Sequence, residues 1–499
     1  MAKELYHLIG GNKVNGTSGR FADVLNPATG EVSARVPLAS TEEVDGAVKT
    51  AMAAFPGWAA TPTPKRAAVF FAMRQLVTEN IGTLAELIGQ EHGKTLEDAR
   101  GEIQRGIDVL EFACGVPHLM KGELSTNVGG DIDTFSIREP LGVVGGITPF
   151  NFPVMIPFWM GAMAVAFGNA FVNKPSERDP SAAMYLGELW QQAGLPDGVW
   201  TVLNGDKEAV DGLLHHPDVP AISFVGSTTV GEYVYQTGTA NNKRVQSFCG
   251  AKNHMIIMPD ANMDQAADAL MGAGYGSAGE RCMAISVAVP VGEQAAEEIV
   301  KRLTPRVQSL RIGPYNDPEA DMGPLITTQA KDRVEGYIAK GVEEGAELLV
   351  DGRGTSLQGY ENGFFTGGTL FDKVTTDMTI YKDEIFGPVL SVARAKDFDE
   401  AVAMVNGHEY ANGVAIFTQD GDAARTFSNQ VDVGMIGVNV PIPVPMAFHH
   451  FGGSKRSKFG DTQMHGPQSV NFFTKMKTVS ARWPSGIREG AQFTMPTNR

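Results

Sequence analysis

Short apolar runs alternate with longer amphipathic segments through the middle of the chain. The strand-like runs are residues 142–148, 170–174, 198–203, 221–225 and 245–249. The segments between them have helical periodicity, and repeated strand–helix units are typical of a parallel, doubly wound sheet. We therefore predict an α/β domain built on such a sheet.

A second alternation of the same kind extends from residue 260 to about residue 439. Its strand candidates are residues 284–291, 347–350, 388–395, 413–418 and 435–439. Ligands of parallel sheets bind outside the carboxyl ends of the strands. The pattern thus predicts two α/β domains with a binding cleft between them.

Residues 40–120 are predicted to be mainly helical. Ser40 and Glu43 form a capping box, and the apolar residues that follow have helical spacing. Residues 65–120 keep the helical pattern. We interpret this region as a helical layer that covers another part of the fold.

Two stretches change to a β-like pattern. Residues 127–138 alternate between polar and apolar positions ahead of Pro140, and residues 469–483 have a similar character. Such pieces either pair with each other or add to the sheet of a neighbouring subunit. They predict a small β arm.

Residues 152–172 are almost wholly apolar and are long enough to span a bilayer. Pro153 and Pro157, together with the surrounding strand–helix alternation, favour a helix buried against a parallel sheet instead. We therefore expect no membrane span here.

Composition narrows the class of protein. With 499 residues, 43% of them hydrophobic and 20% charged, the chain is an ordinary globular sequence with room for two or three domains. A formal charge of −16 argues against a nucleic-acid partner. Three cysteines are too few for a disulfide framework, and the N-terminal sequence resembles neither a signal nor a transit peptide. We expect a cytoplasmic protein.

Cys282 is the candidate nucleophile. It lies in the sequence GSAGERCMA, residues 276–284, where small residues leave room for a substrate and Arg281 places a cation beside the thiol. The alternative is that Cys282 is simply a small buried apolar residue. Residues 274–279 also fit the G-x-G-x-x-G pattern, but they follow a helix-like run where the dinucleotide motif requires a strand.

Other candidates lie where predicted strands end. Asn151 can donate to an oxyanion together with the Cys282 N–H, or it is a turn or cap residue. Lys174 and Glu177 suit hydroxyl or phosphate contacts, or they are ordinary surface residues. Residues 226–231 can hold a pyrophosphate at a helix N-terminus, or they form a simple Ser/Thr cap.

Glu384 and Phe386 precede a later predicted strand. A carboxylate and an aromatic face at this position suit a sugar hydroxyl and a flat cofactor ring. The alternative for Phe386 is packing in the protein core. None of these sites identifies an activity by itself.

Taken together, the motifs resemble those of the aldehyde dehydrogenase superfamily over nearly the whole chain. The matching segments are residues 149–153 (PFNFP), 174–177 (KPSE), 224–227 (FVGS), 279–282 (GERC) and 384–388 (EIFGP), in the order found in that family. Because five separate motifs agree, the combination is highly specific.

The resemblance implies both a fold and a division into domains. It implies a Rossmann-like, parallel-sheet NAD-binding domain in residues 1–121 and 141–249. A second α/β domain, the catalytic one, is expected in residues 250–452. A small β oligomerisation arm is expected in residues 122–140 and 465–485.

The same resemblance implies residue roles. Cys282 becomes the nucleophile that attacks an aldehyde, and Asn151 becomes an oxyanion donor before hydride transfer to NAD leaves a thioester. No metal is expected. The cofactor-binding residues that it implies are Phe150, Lys174, Glu177, Arg178, Gly226, Ser227, Glu384 and Phe386.

One departure from the family pattern is informative. Hydrolytic members have a glutamate that activates water where this chain has Phe248. General-base assistance is typically worth about 10²–10⁴-fold, so attack by water on the thioester should be slow. A thiol co-substrate such as coenzyme A is a better nucleophile.

Residues 250–254 (GAKNH) and 279–284 (GERCMA) are similar to those of the CoA-acylating branch that acts on methylmalonate semialdehyde. Arg281 and Arg105 are then candidates for binding the substrate carboxylate, although Arg105 also fits a surface helix. The expected reaction is NAD-dependent oxidation of methylmalonate or malonate semialdehyde to propionyl-CoA or acetyl-CoA, with loss of CO₂. Glu280 departs from the glutamine usual in that branch.

Two other functions remain open at this point. One is a hydrolytic, NAD(P)-dependent aldehyde dehydrogenase that uses another base and releases the free acid. The other is a catalytically silent NAD-binding or structural protein of the same fold. In the favoured interpretation, the chain binds the semialdehyde and CoA. It binds neither nucleic acid nor a membrane. We expect it to form a homodimer or homotetramer.

Overall fold

A computed structural model describes residues 2–483 of the chain. The C-terminal tail from residue 484, including the last two residues of the predicted arm, lies outside the described residues. In chain order, the strands are β1 (Lys3–Glu4), β2 (His7–Ile9), β3 (Asn12–Val14), β4 (Phe21–Leu25), β5 (Val32–Pro37), β6 (Leu124–Ser125), β7 (Ile132–Pro140), β8 (Val143–Ile147), β9 (Ala170–Lys174), β10 (Trp200–Val202), β11 (Ala221–Val225), β12 (Arg244–Phe248), β13 (Asn253–Ile257), β14 (Ile285–Pro290), β15 (Glu347–Val350), β16 (Thr369–Asp372), β17 (Val389–Val392), β18 (Tyr410–Ala411), β19 (Gly413–Phe417), β20 (Met435–Val438), β21 (Ser454–Lys455), β22 (Lys458–Phe459) and β23 (Thr474–Arg482).

The helices cover both faces of the larger sheets. In chain order, they are α1 (Thr41–Ala59), α2 (Thr63–Glu79), α3 (Ile81–His92), α4 (Leu96–Cys114), α5 (Val116–Leu119), α6 (Met155–Pro157), α7 (Met163–Ala166), α8 (Ser181–Gln192), α9 (Lys207–His215), α10 (Thr228–Ala240), α11 (Met263–Tyr275), α12 (Glu293–Gln308), α13 (Thr328–Glu343), α14 (Thr379–Lys382), α15 (Phe398–Gly407), α16 (Gly421–Gln430) and α17 (Pro467–Phe473). The helical prediction for residues 40–120 is thus confirmed by α1 to α5, whereas the preceding residues form β1 to β5.

The first large sheet has the order β22-β12-β11-β8-β9-β10-β2-β3. The five central strands, β12-β11-β8-β9-β10, are parallel. Strand β22 pairs antiparallel with β12 at one end, and β2 pairs antiparallel with β10 at the other. Parallel strands must be covered on both faces, and β8 and β9 are accordingly buried throughout. The predicted doubly wound α/β sheet is confirmed.

The second large sheet has the order β15-β16-β17-β14-β13-β19-β20, parallel except for the edge strand β15. Two of its strands, β13 and β16, are missing from the prediction. β13 follows β12 after only four residues and begins with the polar residues Asn253 and His254, which leaves it a short apolar run. Pairing with β14 and β19 on either side decides its conformation.

The capping box of α1 is present as predicted. The Ser40 N–H donates to Glu43 Oε2 at 2.9 Å, and the Ser40 side chain accepts from the Glu43 N–H at 3.4 Å. The apolar face of this helix, Val44 to Ala51, is buried against the first sheet.

The apolar segment of residues 152–172 is buried. It forms α6, a π-helical turn at Phe158–Ala162 and α7, and then enters β9. None of the helices within residues 2–483 is long and apolar enough to cross a membrane.

The arm is a three-stranded sheet in the order β23-β7-β6. β7 and β23 pair antiparallel along their whole length, from Thr474 opposite Pro140 to Arg482 opposite Ile132. Within this chain the two predicted pieces therefore pair with each other. The β-like prediction is wrong for residues 469–473, which lie in α17, because Pro467 begins a short helix there.

Candidate active site

Two cavities meet at Cys282. The first, which we call the strand-end cavity, has a volume of about 400 Å³ and lies beyond the carboxyl ends of β8, β11 and β12. It is lined by Pro149, Phe150, Asn151, Arg178, Val225, Gly226, Ser227, Cys249, Gly250, Cys282, Thr327, Gln329, Ala330, Arg333, Glu384 and Phe386. Most residues predicted to bind a cofactor are therefore brought together here.

The second cavity, which we call the α4-side cavity, has a volume of about 340 Å³. It is lined by Asp98, Gly101, Glu102, Arg105, Phe152, Met155, Trp159, Arg281, Cys282, Met283, Ile442 and Val444. Both arginines predicted to meet a substrate carboxylate belong to this set. Cys282 is thus common to the linings of both cavities.

The turn before Cys282 has an uncommon backbone conformation. Ser277 and Ala278 have positive φ angles of 54° and 52°, and Gly279 follows at 72°. A Cβ on Gly279 would lie 2.2 Å from the carbonyl oxygen of Gly387. Glycine is thus required for this turn to approach the segment that carries Glu384 and Phe386. The turn follows α11, which confirms that residues 274–279 are not a strand-to-helix phosphate loop.

The backbone of Cys282 is fixed by two amide side chains. Its carbonyl accepts hydrogen bonds from Asn253 Nδ2 at 3.0 Å and from Asn412 Nδ2 at 3.3 Å. Burial, and after it the Glu384 carboxylate, raise the pKa of the Cys282 thiol to about 12, although Arg281 opposes the shift. The predicted effect of Arg281 on this pKa has the right direction but is smaller than the effect of burial. The thiol must therefore lose its proton before it attacks.

Asn151 is buried at the end of the β8–α6 loop and lines the strand-end cavity together with Cys282. Its Nδ2 donates to the carbonyl oxygen of Glu280 at 3.0 Å. It does not cap the following helix, because the cap residue of α6 is Val154. The cap alternative for Asn151 is therefore wrong.

Two aromatic rings face each other in the strand-end cavity. The rings of Phe150 and Phe386 pack edge to face with centroids 5.9 Å apart, and the Arg178 guanidinium lies 5.4 Å from the Phe150 centroid. Both rings are only partly buried, so Phe386 is not a core residue.

Gly226 and Ser227 lead from β11 into α10. Ser227 is exposed in the N-cap position, but its side chain makes no capping hydrogen bond with the helix. Ser227 thus occupies the cap position without the side-chain hydrogen bond of a capping serine. A helix N-terminus with an exposed hydroxyl and a glycine before it is a suitable site for a phosphate.

Glu384 is the one acidic residue among the described residues that line the strand-end cavity. Its Oε1 accepts a hydrogen bond from the Ala251 N–H at 3.0 Å. Burial raises the pKa of this carboxyl to about 7.

Lys174 and Glu177 lie at the end of β9 but do not line either cavity. Lys174 is buried, and its Nζ donates to the Gly205 carbonyl at 2.9 Å and pairs with Glu177 Oε2 at 3.5 Å. Burial lowers the pKa of Lys174. The surface alternative is thus wrong for Lys174.

Arg281 and Arg105 each have an acidic neighbour. Arg281 Nη2 pairs with Asp98 Oδ1 at 2.5 Å, while Arg105 Nη1 pairs with Asp108 Oδ2 at 3.3 Å. Arg105 also donates to the Val444 carbonyl at 3.4 Å. Both guanidiniums are already oriented by other groups at the wall of the α4-side cavity.

Phe248 occupies the position where hydrolytic relatives are expected to carry a glutamate. Its side chain is buried, with its ring centroid 6.0 Å from that of Phe451, and it belongs to the apolar core. No proton acceptor is available at this position.

A buried charged pair was missed by sequence analysis. Lys94 and Glu102 are both fully buried, with Nζ and Oε2 separated by 2.9 Å, and Lys94 Nζ also donates to the Asn151 carbonyl at 2.6 Å. A lysine between two predicted helices normally lies in solvent, so the sequence carries no local signal of this contact.

Comparison with known proteins gives a consistent result. The model of the aldehyde dehydrogenase family matches residues 13–479. A malonate-semialdehyde dehydrogenase of Pseudomonas aeruginosa is 55% identical over 494 residues, covering 99% of both chains. An acylating, mitochondrial methylmalonate-semialdehyde dehydrogenase of Arabidopsis thaliana is 47% identical, covering 100% of this chain and 82% of the relative. A crystal structure from Sinorhizobium meliloti, described as a putative methylmalonate-semialdehyde dehydrogenase complexed with NAD, matches with a TM-score of 0.97. The two sequences are 59% identical, and the match covers 98% of this chain and 100% of that one.

Proposed function

The chain belongs to the aldehyde dehydrogenase family, and we propose that it is an NAD-dependent, CoA-acylating dehydrogenase of malonate or methylmalonate semialdehyde. The observation that carries this proposal is the position of Cys282 at the junction of two cavities. One cavity offers aromatic faces and a helix N-terminus, and the other offers two arginines. This arrangement suits a flat, phosphate-bearing cofactor on one side of the thiol and an acidic aldehyde on the other.

The strand-end cavity fits NAD. Gly226 and Ser227, at the N-terminus of α10, would hold the pyrophosphate, and Phe150 and Phe386 would contact flat rings. Glu384, which lines this cavity, would hold ribose hydroxyls, with Arg178 near the phosphates. The Lys174–Glu177 pair lies outside the cavity lining, and we propose that it holds ribose hydroxyls of the part of the cofactor that extends past the end of β9. When bound, NAD accepts the hydride that the aldehyde carbon loses.

In the oxidation step, Cys282 acts as the nucleophile. The thiol releases its proton to solvent, the thiolate adds to the aldehyde carbon, and the oxyanion accepts hydrogen bonds from Asn151 Nδ2 and the Cys282 N–H. The Nδ2 bond to Glu280 fixes the amide in place before substrate binds. Loss of hydride then converts the adduct into an acyl thioester on Cys282.

The substrate carboxylate is placed in the α4-side cavity by Arg281 and Arg105. It lies β to the thioester carbonyl, which can accept the electron pair of the breaking carbon–carbon bond. Loss of CO₂ followed by protonation leaves acetyl- or propionyl-Cys282. The CoA thiolate takes this acyl group and releases the Cys282 thiolate.

The choice of CoA as the co-substrate rests on Phe248, which stands where a general base would be needed for hydrolysis. A buried aromatic ring cannot activate water, and the Glu384 carboxylate is bound by the Ala251 N–H. A thiol depends less on such a base, because about a few per cent of an ordinary thiol is thiolate at neutral pH and thiolate is a strong nucleophile. These facts support acyl transfer to CoA over hydrolysis.

We also propose the predicted domain division, with the NAD-binding domain in residues 1–121 and 141–249 and the catalytic domain in residues 250–452. In support, apart from β22 the strands of the first large sheet fall in residues 1–249. The strands of the second sheet fall in residues 253–438.

For the assembly, we propose a homodimer or homotetramer joined through the arm at residues 122–140 and 465–485. Strand β23 lies at the edge of the arm and is mostly exposed, which supports pairing with another copy. We propose a cytoplasmic location, supported by the free thiols of Cys114, Cys249 and Cys282.

The decisive experiment follows NADH formation from malonate and methylmalonate semialdehyde, with and without CoA, and identifies the products. We expect turnover to depend on CoA and to yield acetyl-CoA or propionyl-CoA with one CO₂ per NADH. Equal turnover without CoA, yielding the free acid, would overturn the acylating assignment. No NADH under any condition would overturn the proposed substrate.

A further inference from the structure

Lys94 lies in the short connection between α3 and α4, yet its side chain is completely buried. Its ammonium makes two hydrogen bonds, to Glu102 Oε2 at 2.9 Å and to the backbone carbonyl of Asn151 at 2.6 Å. It also lies 4.4 Å from the centroid of the Phe152 ring. The ammonium therefore ends directly on the loop that carries Asn151.

Glu102, on α4, binds the same loop further along. Its second oxygen, Oε1, accepts from the N–H groups of Val154 and Met155 at 2.8 and 3.2 Å. The charged pair thus holds a carbonyl at one end of the loop and two N–H groups at the other. The loop is clamped to α4 by one ammonium and one carboxylate.

We propose that Lys94 is a positioning residue for catalysis, which acts by setting the backbone of the oxyanion donor Asn151. The bond from Lys94 fixes the Asn151 carbonyl, and the bond from Asn151 Nδ2 to Glu280 fixes its side chain. Oxyanion donors stabilise a transition state only when held close to the required geometry. This inference rests on the role proposed above for Asn151.

The burial of this pair argues for a role beyond stability. Replacing a buried ion pair by well-packed apolar residues is often neutral or stabilising, because both charges lose their hydration. Here both charges end on the loop between β8 and α6, next to Cys282. The cost of burying them is explained if they hold Asn151 in one position.

The test is a double-mutant cycle between Lys94 and Asn151. Lys94→Met removes the ammonium but keeps an unbranched side chain of similar length, and Glu102→Gln is added so that no unpaired carboxylate remains buried. We expect kcat to fall at least about tenfold, with the KM for NAD changed less than about twofold, since removal of an oxyanion donor typically costs about 10²–10³-fold. In the Asn151→Ala background the same changes should lower kcat little further.

A matched control separates positioning from loss of stability. Lys243 is also a buried lysine that donates to two backbone carbonyls, those of His216 and Val219, and it lines neither cavity. Lys243→Met should lower the melting temperature but leave kcat unchanged. If the Lys94 variant does not fold, Lys94→Gln keeps an N–H donor and should retain an intermediate kcat.

Two results would overturn the inference. One is a folded Lys94 variant whose kcat stays within about twofold of the parent. The other is an equal fractional loss of kcat with and without Asn151→Ala, which would mean that the residues act independently. The ratio of variant kcat to parent kcat is also measured with propanal and NAD. If the parent enzyme does not oxidise the semialdehyde, the substrate assignment fails, but the propanal ratios still test this inference.

Discussion

Nδ2 of Asn151 donates a hydrogen bond to the carbonyl oxygen of Glu280 over 3.0 Å. Asn151 follows β8 in the first large sheet, whereas Glu280 lies two residues before Cys282 in the second α/β unit. The bond therefore joins the loop of the proposed oxyanion donor to the loop of the proposed nucleophile. Any change that separates the two loops should lower the rate of the chemical step before it weakens binding.

Removal of the proposed nucleophile should abolish activity. Cys282→Ala is expected to lower NADH formation from the semialdehyde by at least about 10³-fold, because no other thiol lies at the junction of the two cavities within the described residues. Cys114→Ser is the matched control, since Cys114 lies on α4 outside both cavities. Retained activity in the Cys282 variant would show that the nucleophile has been misassigned.

The reactivity of Cys282 should rise steeply with pH. Because burial raises the pKa of this thiol to about 12, only a small fraction is thiolate at neutral pH, and that fraction grows about tenfold per pH unit. Alkylation by iodoacetamide, followed by mass spectrometry of the peptide containing Cys282, should therefore accelerate from pH 7 to pH 9 without a plateau. Glu384→Gln should increase the rate, since the carboxylate also raises the pKa. A plateau below pH 8 would contradict this assignment.

Arg105 should discriminate between acidic and neutral aldehydes. Arg105→Gln removes one guanidinium from the α4-side cavity, and charge-assisted hydrogen bonds are worth about 1.5–3 kcal/mol. We expect kcat/KM for malonate semialdehyde to fall about 10- to 100-fold, while kcat/KM for propanal changes little. Arg74→Gln, which breaks an exposed pair with Glu111, is the control and should affect neither substrate. Equal losses with both aldehydes would mean that Arg105 does not bind the carboxylate.

Glu280 should make stability depend on pH. Burial raises its pKa from the ordinary value of 4.5 to about 8. Between these two values the native state keeps a proton that the unfolded chain has released, so this group's stabilising effect is complete below pH 4.5 and is lost as pH rises towards 8. The expected slope is up to about 1.4 kcal/mol of unfolding free energy per pH unit.

The corresponding measurement compares urea unfolding of the parent and of Glu280→Gln between pH 5 and pH 9. The variant should lose this part of the pH dependence and should gain stability relative to the parent as pH rises. Glu79→Gln, on the exposed face of α2, should leave the pH profile unchanged. An unaltered slope in Glu280→Gln would mean that Glu280 is ionised in the folded protein at neutral pH.

Much of the site could be predicted from local sequence. Phe150, Asn151, Gly226 and Ser227 follow strand-like runs, and parallel strands bring their carboxyl ends to one edge of a sheet. For that reason these residues line one cavity, as the pattern implied. β13 was missed because its apolar run is short and follows β12 closely, and its pairing with β14 and β19 decides its conformation.

The sequence by itself determined the alternation of strands and helices, the capping box of α1 and the motif around Cys282, because each depends on residues close together in the chain. Tertiary structure alone decided that Lys94 is buried against Asn151, that Lys174 lies outside the cavity lining, and that Arg281 is paired with Asp98. Each of these contacts joins side chains to groups that the fold brings together from distant or unrelated positions. Hydrophobic periodicity records which face of an element is buried, but it does not record which charged group lies opposite.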